Sequence, residues 1–271
     1  MDELGKKVLF YIIIIVVVLI LLFAIIIIYN ENEEQPSGRT YVNTTTSTNI
    51  IEKVTSTTTT TQVPTTTVVT TPVVQTKDYS KYPTFNQYPD YPTGCETVAL
   101  YLLLKYYKVD ITIDELIDNL KKQPIRQVNA QGEACVTNPN EYFLGDPRSD
   151  VGSRGVYNEP IKELANKYKK GAISKSGISF NEIEKVVKSG KPAVVWTTIS
   201  LRESNRVIIG NDCNTGEPIM WQTNEHALLV IDVTDDNVVV SDPTTGSIQY
   251  YDKEIFIDRF NIQGSRIVYY K

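Results

Sequence analysis

One cysteine stands where a thiol can act as a nucleophile. Cys95 lies between a turn-rich loop, which contains Pro92 and Gly94, and an apolar helical pattern. The first turn of a helix has unpaired N–H groups and the positive end of the helix dipole, and both stabilise an anion. The position therefore predicts a thiol that loses its proton more easily, and the thiolate is the nucleophile. The alternative is a small buried residue that packs the first turn of a core helix.

The only histidine of the chain and an aspartate stand at the ends of two consecutive predicted strands. His226 opens one strand, Asp242 closes the next, and residues 234–237 supply a turn between them. A hairpin centred near Thr234 places His226 directly opposite Asp242 on one face. The carboxylate could then accept the Nδ1–H bond and fix the tautomer of the imidazole. The alternatives are a half-buried structural histidine and an ordinary Asp-Pro turn acid.

The elements that must position these residues follow from periodicity and capping signals. Helical patterns cover residues 95–107, 112–122, 159–169, 179–190 and 253–260. Strand patterns cover residues 192–199, 225–233, 237–242, 247–251 and 266–270. The intervening residues 123–158 show little periodicity and predict a long loop, which in a compact domain is usually functional or disordered. N-terminal helices before an antiparallel sheet predict an α+β domain of two packed layers.

The N-terminal region predicts a membrane anchor. Residues 8–28 form an unbroken apolar run without charge, and as a helix they reach about 30 Å, the thickness of the hydrocarbon core of a bilayer. No small-residue cleavage site follows the run. Lys6 and Lys7 precede it and glutamates follow it, so the N-terminus is expected in the cytoplasm. We therefore interpret residues 1–30 as a signal-anchor transmembrane helix.

Residues 31–77 have the composition of a stalk. They are rich in threonine with some Val, Pro, Ser and Asn, and few of their side chains could build a packed core. Such tracts are typical of glycosylated stalks, and Asn43 begins an N-glycan acceptor pattern. The predicted organisation is an anchor, a disordered Thr-rich linker and a domain, residues 78–271, displayed outside the cell.

Charge and cysteine usage exclude several kinds of site. The formal net charge of −5 and the lack of a basic stripe make nucleic acid an unexpected partner. The three cysteines and one histidine show no metal-ligand spacing, so neither a metal nor another cofactor is expected. In an oxidising exterior Cys135 and Cys213 could pair and leave Cys95 free. Two unpaired thiols are the alternative.

Several segments together resemble a known family. They are Gln87 with the Pro-Thr-Gly-Cys-Glu segment that ends at Glu96, residues 138–147, Gly155-Val156-Tyr157, Glu225-His226-Ala227 and Ser241-Asp242-Pro243. In this order they resemble papain-fold cysteine peptidase-like domains related to the double-glycine leader peptidases of bacteriocin exporters. The resemblance covers the predicted domain and none of the anchor or stalk. The leader peptidases are fused to a transport ATPase, whereas this sequence contains no Walker motif.

The resemblance implies a role for four positions. Cys95 matches the nucleophile, His226 the general base and acid, and Asp242 the residue that orients the imidazole. Gln87 matches the glutamine whose amide, with the Cys95 N–H, holds the oxyanion. The expected function is a membrane-anchored, cell-surface cysteine peptidase-like hydrolase with a peptide or protein substrate.

Two other functions fit the same sequence. The first is a displayed binding module that keeps the fold without turnover and uses the loop around Tyr142 and Phe143 as its contact surface. The second is an amidase or acyltransferase that acts on envelope polymers with the same residues.

Overall fold

A computed structural model describes residues 77–271 of the chain. The helices are α1 (Cys95–Tyr106), α2 (Ile113–Asn119), α3 (Asn158–Tyr168), α4 (Phe180–Lys188) and α5 (Lys253–Ile262), with a 3₁₀ turn at Ile199–Leu201. The strands are β1 (Lys122–Gln123), β2 (Arg126–Val128), β3 (Ala134–Val136), β4 (Phe143–Leu144), β5 (Ala172–Lys175), β6 (Ala193–Thr198), β7 (Arg206–Asn211), β8 (Pro218–Gln222), β9 (Glu225–Val233), β10 (Asn237–Asp242), β11 (Ser247–Asp252) and β12 (Ile267–Tyr270).

The predicted anchor and stalk, residues 1–30 and 31–77, fall outside the described residues except for residue 77. Within residues 77–271, no helix has both the length and the apolar character needed to cross a membrane.

A six-stranded antiparallel sheet in the order β11-β10-β9-β6-β12-β5 organises the domain. The α+β class is confirmed, but the prediction of two layers is wrong. Side chains of β9 alternate between two separate cores: Leu229 packs with α1, α2 and α3, whereas Leu228 packs with α4 and α5. The reason is that every residue of β9 is buried, which is typical of a strand covered by helices on both faces.

The predicted helices and strands are largely present, and the capping signals explain some of their starts. The Thr112 hydroxyl accepts a hydrogen bond from the Glu115 N–H at 3.2 Å, as a capping box requires. Helix α2 nevertheless ends at Asn119, earlier than predicted, because the next residues turn into β1. The sequence patterns did not predict β5 or the β7–β8 hairpin.

Residues 123–158 are more structured than the predicted loop. Strand β2 pairs with β3, and β1 pairs in parallel with β4. Cys135 in β3 forms a disulfide with Cys213, which follows β7. Beside the disulfide, the Asn138 side chain donates to Asp212 at 2.8 Å. The segment is therefore fastened to the β7–β8 hairpin by covalent and polar contacts.

The β9–β10 hairpin has a different register from the predicted one. Val240 pairs with Val230 and Ser241 with Leu229, whereas the prediction placed Val240 opposite Leu228. The register changes by one residue between Val239 and Val240, which marks a β-bulge. Without this bulge, His226 and Asp242 would point to opposite faces of the sheet, because side chains alternate along a strand.

The disulfide gives a prediction about stability. Cys135→Ser/Cys213→Ser should lower the free energy of unfolding by about 2–5 kcal/mol, because the bond closes a long loop in the unfolded chain. Urea unfolding measures this loss. A reductant should reproduce it in the wild type and leave the double variant unchanged. Alkylation of three thiols in the unreduced native chain would contradict the bond.

Candidate active site

The loop before α1 positions Cys95 at the start of the helix. Gly94 precedes the helix, and no side chain caps this end, so the first-turn N–H groups remain free to face a ligand. A Cβ on Gly94 would lie 3.0 Å from the Cβ of Tyr91 and 3.2 Å from that of Pro147. The Thr93 hydroxyl donates to the Ser149 carbonyl at 2.9 Å. The loop is therefore held against residues 146–149, with a close approach at Gly94 that a larger residue would crowd.

The Cys95 thiol is buried and faces acidic groups. Its side chain is 6% exposed, and Sγ donates to Glu96 Oε2 at 3.4 Å. Burial raises the pKa of Cys95 well above its ordinary value, and the charges of Glu96 and Glu225 raise it further, whereas the Ala227 N–H acts in the opposite direction. The prediction of a thiol with a lowered pKa is therefore wrong for this arrangement. Burial and the two carboxyl groups outweigh the effect of the helix start.

His226 and Asp242 come together as the sequence predicted, through a different ring nitrogen. Nε2 of His226 lies 2.9 Å from Asp242 Oδ1, and the two residues are 1% and 0% exposed. The prediction that Nδ1 faces the carboxylate is wrong. Because the register is shifted by two residues, the imidazole reaches Asp242 diagonally across the hairpin. Nδ1 is buried and has no hydrogen-bond partner among the described residues.

Asp242 is surrounded by donors. Oδ1 also accepts hydrogen bonds from the N–H and the hydroxyl of Thr244, at 2.8 and 2.7 Å. Oδ2 accepts one from the Tyr251 hydroxyl at 2.5 Å. Burial by itself raises the pKa of Asp242, but the hydrogen bonds from His226, Tyr251 and Thr244 outweigh it and hold this pKa well below its usual range. The carboxylate is therefore ionised and fixed in place.

Gln87 is attached to the same end of the hairpin. Its N–H donates to the Pro243 carbonyl at 2.9 Å, and its carbonyl accepts from the Tyr91 N–H at 2.8 Å. The side chain is 2% exposed, with Nε2 donating to the Pro92 carbonyl at 3.1 Å. One N–H of this amide remains for a ligand, since a primary amide carries two.

The structure brings the four predicted residues to one region but does not join all of them. No hydrogen bond connects Cys95 with His226 in residues 77–271, because the thiol donates to Glu96 instead. Tyr88 lies beside the site and is 47% exposed. Burial raises the pKa of Tyr88, and so do the charges of both Cys95 and Asp242, so this ring lies near both residues.

Sequence reasoning missed two residues of the site. Glu225 stands in one of the motifs of the resemblance but has no role assigned to it, because glutamate at a strand start usually faces solvent, whereas Glu225 is 8% exposed. Tyr251 was overlooked because its reach depends on the β10–β11 register, in which it pairs with Val238. The alternation of β10 and β11 could have placed Tyr251 on the same face as Asp242.

The acidic groups around Cys95 do not suit a metal ion. Sγ of Cys95 and one carboxyl oxygen each from Glu96 and Glu225 lie within 4.8 Å of one another. Burial favours the protonated forms of all three groups, and a metal ligand must be deprotonated. Glu96 already accepts the Val156 N–H at 2.6 Å. The expected absence of a metal stays a prediction.

Comparison with known proteins places this fold in a family. Residues 79–268 match the model of the Peptidase_C39 like family. The uncharacterized protein YvpB of Bacillus subtilis (strain 168) is 26% identical over 176 residues, which cover 65% of this chain and 68% of YvpB.

Two solved structures resemble the chain. A C39-like peptidase from Bacillus anthracis has 28% identity and a TM-score of 0.62, over 70% of this chain and 94% of that one. A double glycine motif protease from an AMS/PCAT transporter, solved in complex with the leader peptide, has 15% identity and a TM-score of 0.38 over 70% of this chain and 92% of that one. The second likeness is too distant to support an argument. The match of residues 79–268, which confirms the resemblance seen in the sequence, shows that the chain belongs to the Peptidase_C39 like family.

Proposed function

We propose that the domain is a cysteine peptidase-like hydrolase that cleaves peptide or amide bonds with Cys95, His226, Asp242 and Gln87. The observation that supports the proposal is the hydrogen bonding of the two ring nitrogens of His226. Asp242 holds Nε2 of His226 at 2.9 Å, while the buried Nδ1 has no partner in the described part of the chain. A ring fixed through one nitrogen and free at the other is arranged to accept a proton.

The first half of the proposed reaction forms an acyl-enzyme. The Cys95 thiol turns from Glu96 toward His226, and Nδ1 takes its proton as Sγ attacks the substrate carbonyl. The negative charge that develops on the carbonyl oxygen is stabilised by the Cys95 N–H and the Gln87 amide. His226 then gives the proton to the leaving amine, which departs as the C–N bond breaks.

The second half releases the acid product. Water loses a proton to Nδ1 of His226 and attacks the thioester carbonyl. The C–S bond breaks, and the proton returns to the sulfur. Asp242 remains ionised throughout and holds the ring, since its surrounding donors keep its pKa low.

The structure disfavours the binding-module alternative in the form that the sequence suggested. Phe143 of the proposed contact loop is fully buried and belongs to the main core. This loop therefore cannot present its phenylalanine to a partner.

Substitution of Cys95 and of Gln87 tests the proposed reaction. With a library of fluorescence-quenched peptides, the wild type should hydrolyse some members and Cys95→Ala none. Gln87→Ala should lower turnover by about 10²-fold, because one oxyanion donor is lost, with an unchanged circular dichroism spectrum. Unchanged turnover would remove Gln87 from the mechanism, and hydrolysis by Cys95→Ala would exclude the thiol. Ligated products instead of cleaved ones would indicate acyl transfer.

Removal of one donor tests how Asp242 is held. Tyr251→Phe should lower the free energy of unfolding by about 1.5–3 kcal/mol near neutral pH, because the lost hydrogen bond goes to a charged group. The pKa of Asp242 is lowered in the folded state. Its stabilisation is therefore present above the ordinary aspartate pKa of ~3.9 and is lost as the pH falls through the folded-state pKa.

The difference in the free energy of unfolding between wild type and Tyr251→Phe should accordingly become smaller below about pH 4. Urea unfolding over a pH series measures this difference. Tyr250→Phe is the matched control, since Tyr250 is 58% exposed. Equal effects of the two variants would contradict the role of the Tyr251 hydroxyl.

We also propose that the domain is displayed outside the cell on an anchor formed by residues 1–30. Ile15→Lys/Val18→Lys should release the chain into the soluble fraction, because a lysine at the centre of a membrane helix costs about 2.5–3.5 kcal/mol. Ile15→Leu/Val18→Leu should stay in the membrane fraction. Protease added to intact cells should remove the domain from the wild type. Protection from this protease would contradict the proposed orientation.

A further inference from the structure

Two buried glutamates stand beside the candidate nucleophile and base. Glu96 follows Cys95 in the first turn of α1, and Glu225 precedes His226 at the start of β9. They are 0% and 8% exposed, and each offers a carboxyl oxygen within 4.8 Å of the other. Each glutamate is thus adjacent in sequence to one of the two reacting residues, and the two carboxyl groups lie close together in space.

The backbone at Gly155 and Val156 packs closely against the carboxyl groups of both Glu96 and Glu225. A Cβ on Gly155 would overlap Glu96 Oε1 and lie 2.9 Å from Glu225 Oε2. The next residue, Val156, donates its N–H to Glu96 Oε1 at 2.6 Å, and its carbonyl accepts the Trp196 indole N–H at 3.0 Å. Helix α1, strand β9 and this loop segment therefore meet at the two glutamates.

The hydrogen-bond donors near the pair serve Glu96 more than Glu225. Both oxygens of Glu96 accept a hydrogen bond, one from the Val156 N–H and one from the Cys95 thiol. Oε1 of Glu225 is buried and has no partner among residues 77–271. Neither glutamate forms an ion pair within these residues. Two ionised carboxylates so placed would repel one another in a medium of low dielectric constant.

We infer that Glu96 and Glu225 share a proton and, as a pair, position the Cys95 thiol and limit the negative charge beside it. The shared proton joins the helix that carries the nucleophile to the strand that carries the base. This inference rests on the proposed role of Cys95 and adds two positioning residues to it.

The titratable groups around the pair agree with this inference. Burial raises the pKa of Glu96 to about 7. Burial also raises the pKa of Glu225 well above its ordinary value, and the charge of Glu96 adds to this effect. From the segment before β12, Arg266 acts in the opposite direction on Glu225. Tyr157 is neutral, since burial raises its pKa to about 12. Cys95 also faces the pair, since its thiol donates to Glu96 at 3.4 Å.

The shared proton is directly observable. Infrared spectra of the full-length chain at about pH 8, far above the ordinary glutamate pKa of ~4.3, should show the C=O stretch of a protonated carboxylic acid. The band should disappear in Glu225→Gln and persist in Glu141→Gln, which removes an exposed glutamate. A wild type without the band, or a band that survives Glu225→Gln, overturns the inference.

The effect on Cys95 is measured by alkylation with iodoacetamide at the same pH, since Cys95 is the one free cysteine. In Glu225→Ala the single negative charge that the pair shared resides on Glu96 alone, which accepts the thiol hydrogen bond and therefore opposes a thiolate more strongly. This variant should slow alkylation about tenfold, which corresponds to one pKa unit. Glu225→Gln can donate an N–H to Glu96 and should restore most of the lost rate. Equal rates in the Ala and Gln variants would show a merely structural role and overturn the inference.

These measurements separate the inference from the proposed function. If the infrared band and the alkylation pattern are found but no peptide is hydrolysed, the proposed function fails and the carboxyl pair stands. If peptides are hydrolysed but the band is missing at about pH 8, where ordinary carboxyl groups are ionised, the carboxyl pair fails alone.

Discussion

Helix α1 packs directly against strand β9, and the other features of the site depend on this contact. Cys95 is the first residue of α1, and His226 is the second residue of β9. The two side chains are therefore brought to one end of the sheet although 130 residues separate them in sequence. All residues of β9 are buried, so neither element can shift without opening a closely packed core.

The buried acids near this contact show how one region can hold both ionised and protonated carboxyl groups. Asp242 accepts hydrogen bonds from His226, Thr244 and Tyr251, and its pKa is lowered in spite of burial. Glu96 and Glu225 have fewer donors, and burial raises their pKa values. Hydrogen-bond donors act against burial, and where they are numerous, as around Asp242, the carboxyl group is charged.

The segment of residues 123–158 supports the start of helix α1. Its disulfide and the Asn138–Asp212 hydrogen bond attach it to the β7–β8 hairpin. Its last part contacts Gly94 through Pro147 and Glu96 through Val156. A stretch without periodicity thus forms one wall around the start of α1, which explains why motifs in it accompany the cysteine motif.

The sequence by itself determined the α+β class, the helix that begins at Cys95 and the strands β9 and β10, because periodicity, turn residues and capping signals are local. It also indicated four candidate site residues, Gln87, Cys95, His226 and Asp242, through their types and a family resemblance. Only the tertiary structure decided the third layer, the Cys135–Cys213 bond, the meeting of Glu96 with Glu225 and the raised pKa of Cys95. It also decided the bulge that puts His226 and Asp242 on one face. These features depend on desolvation and on contacts between distant segments, which no local pattern encodes.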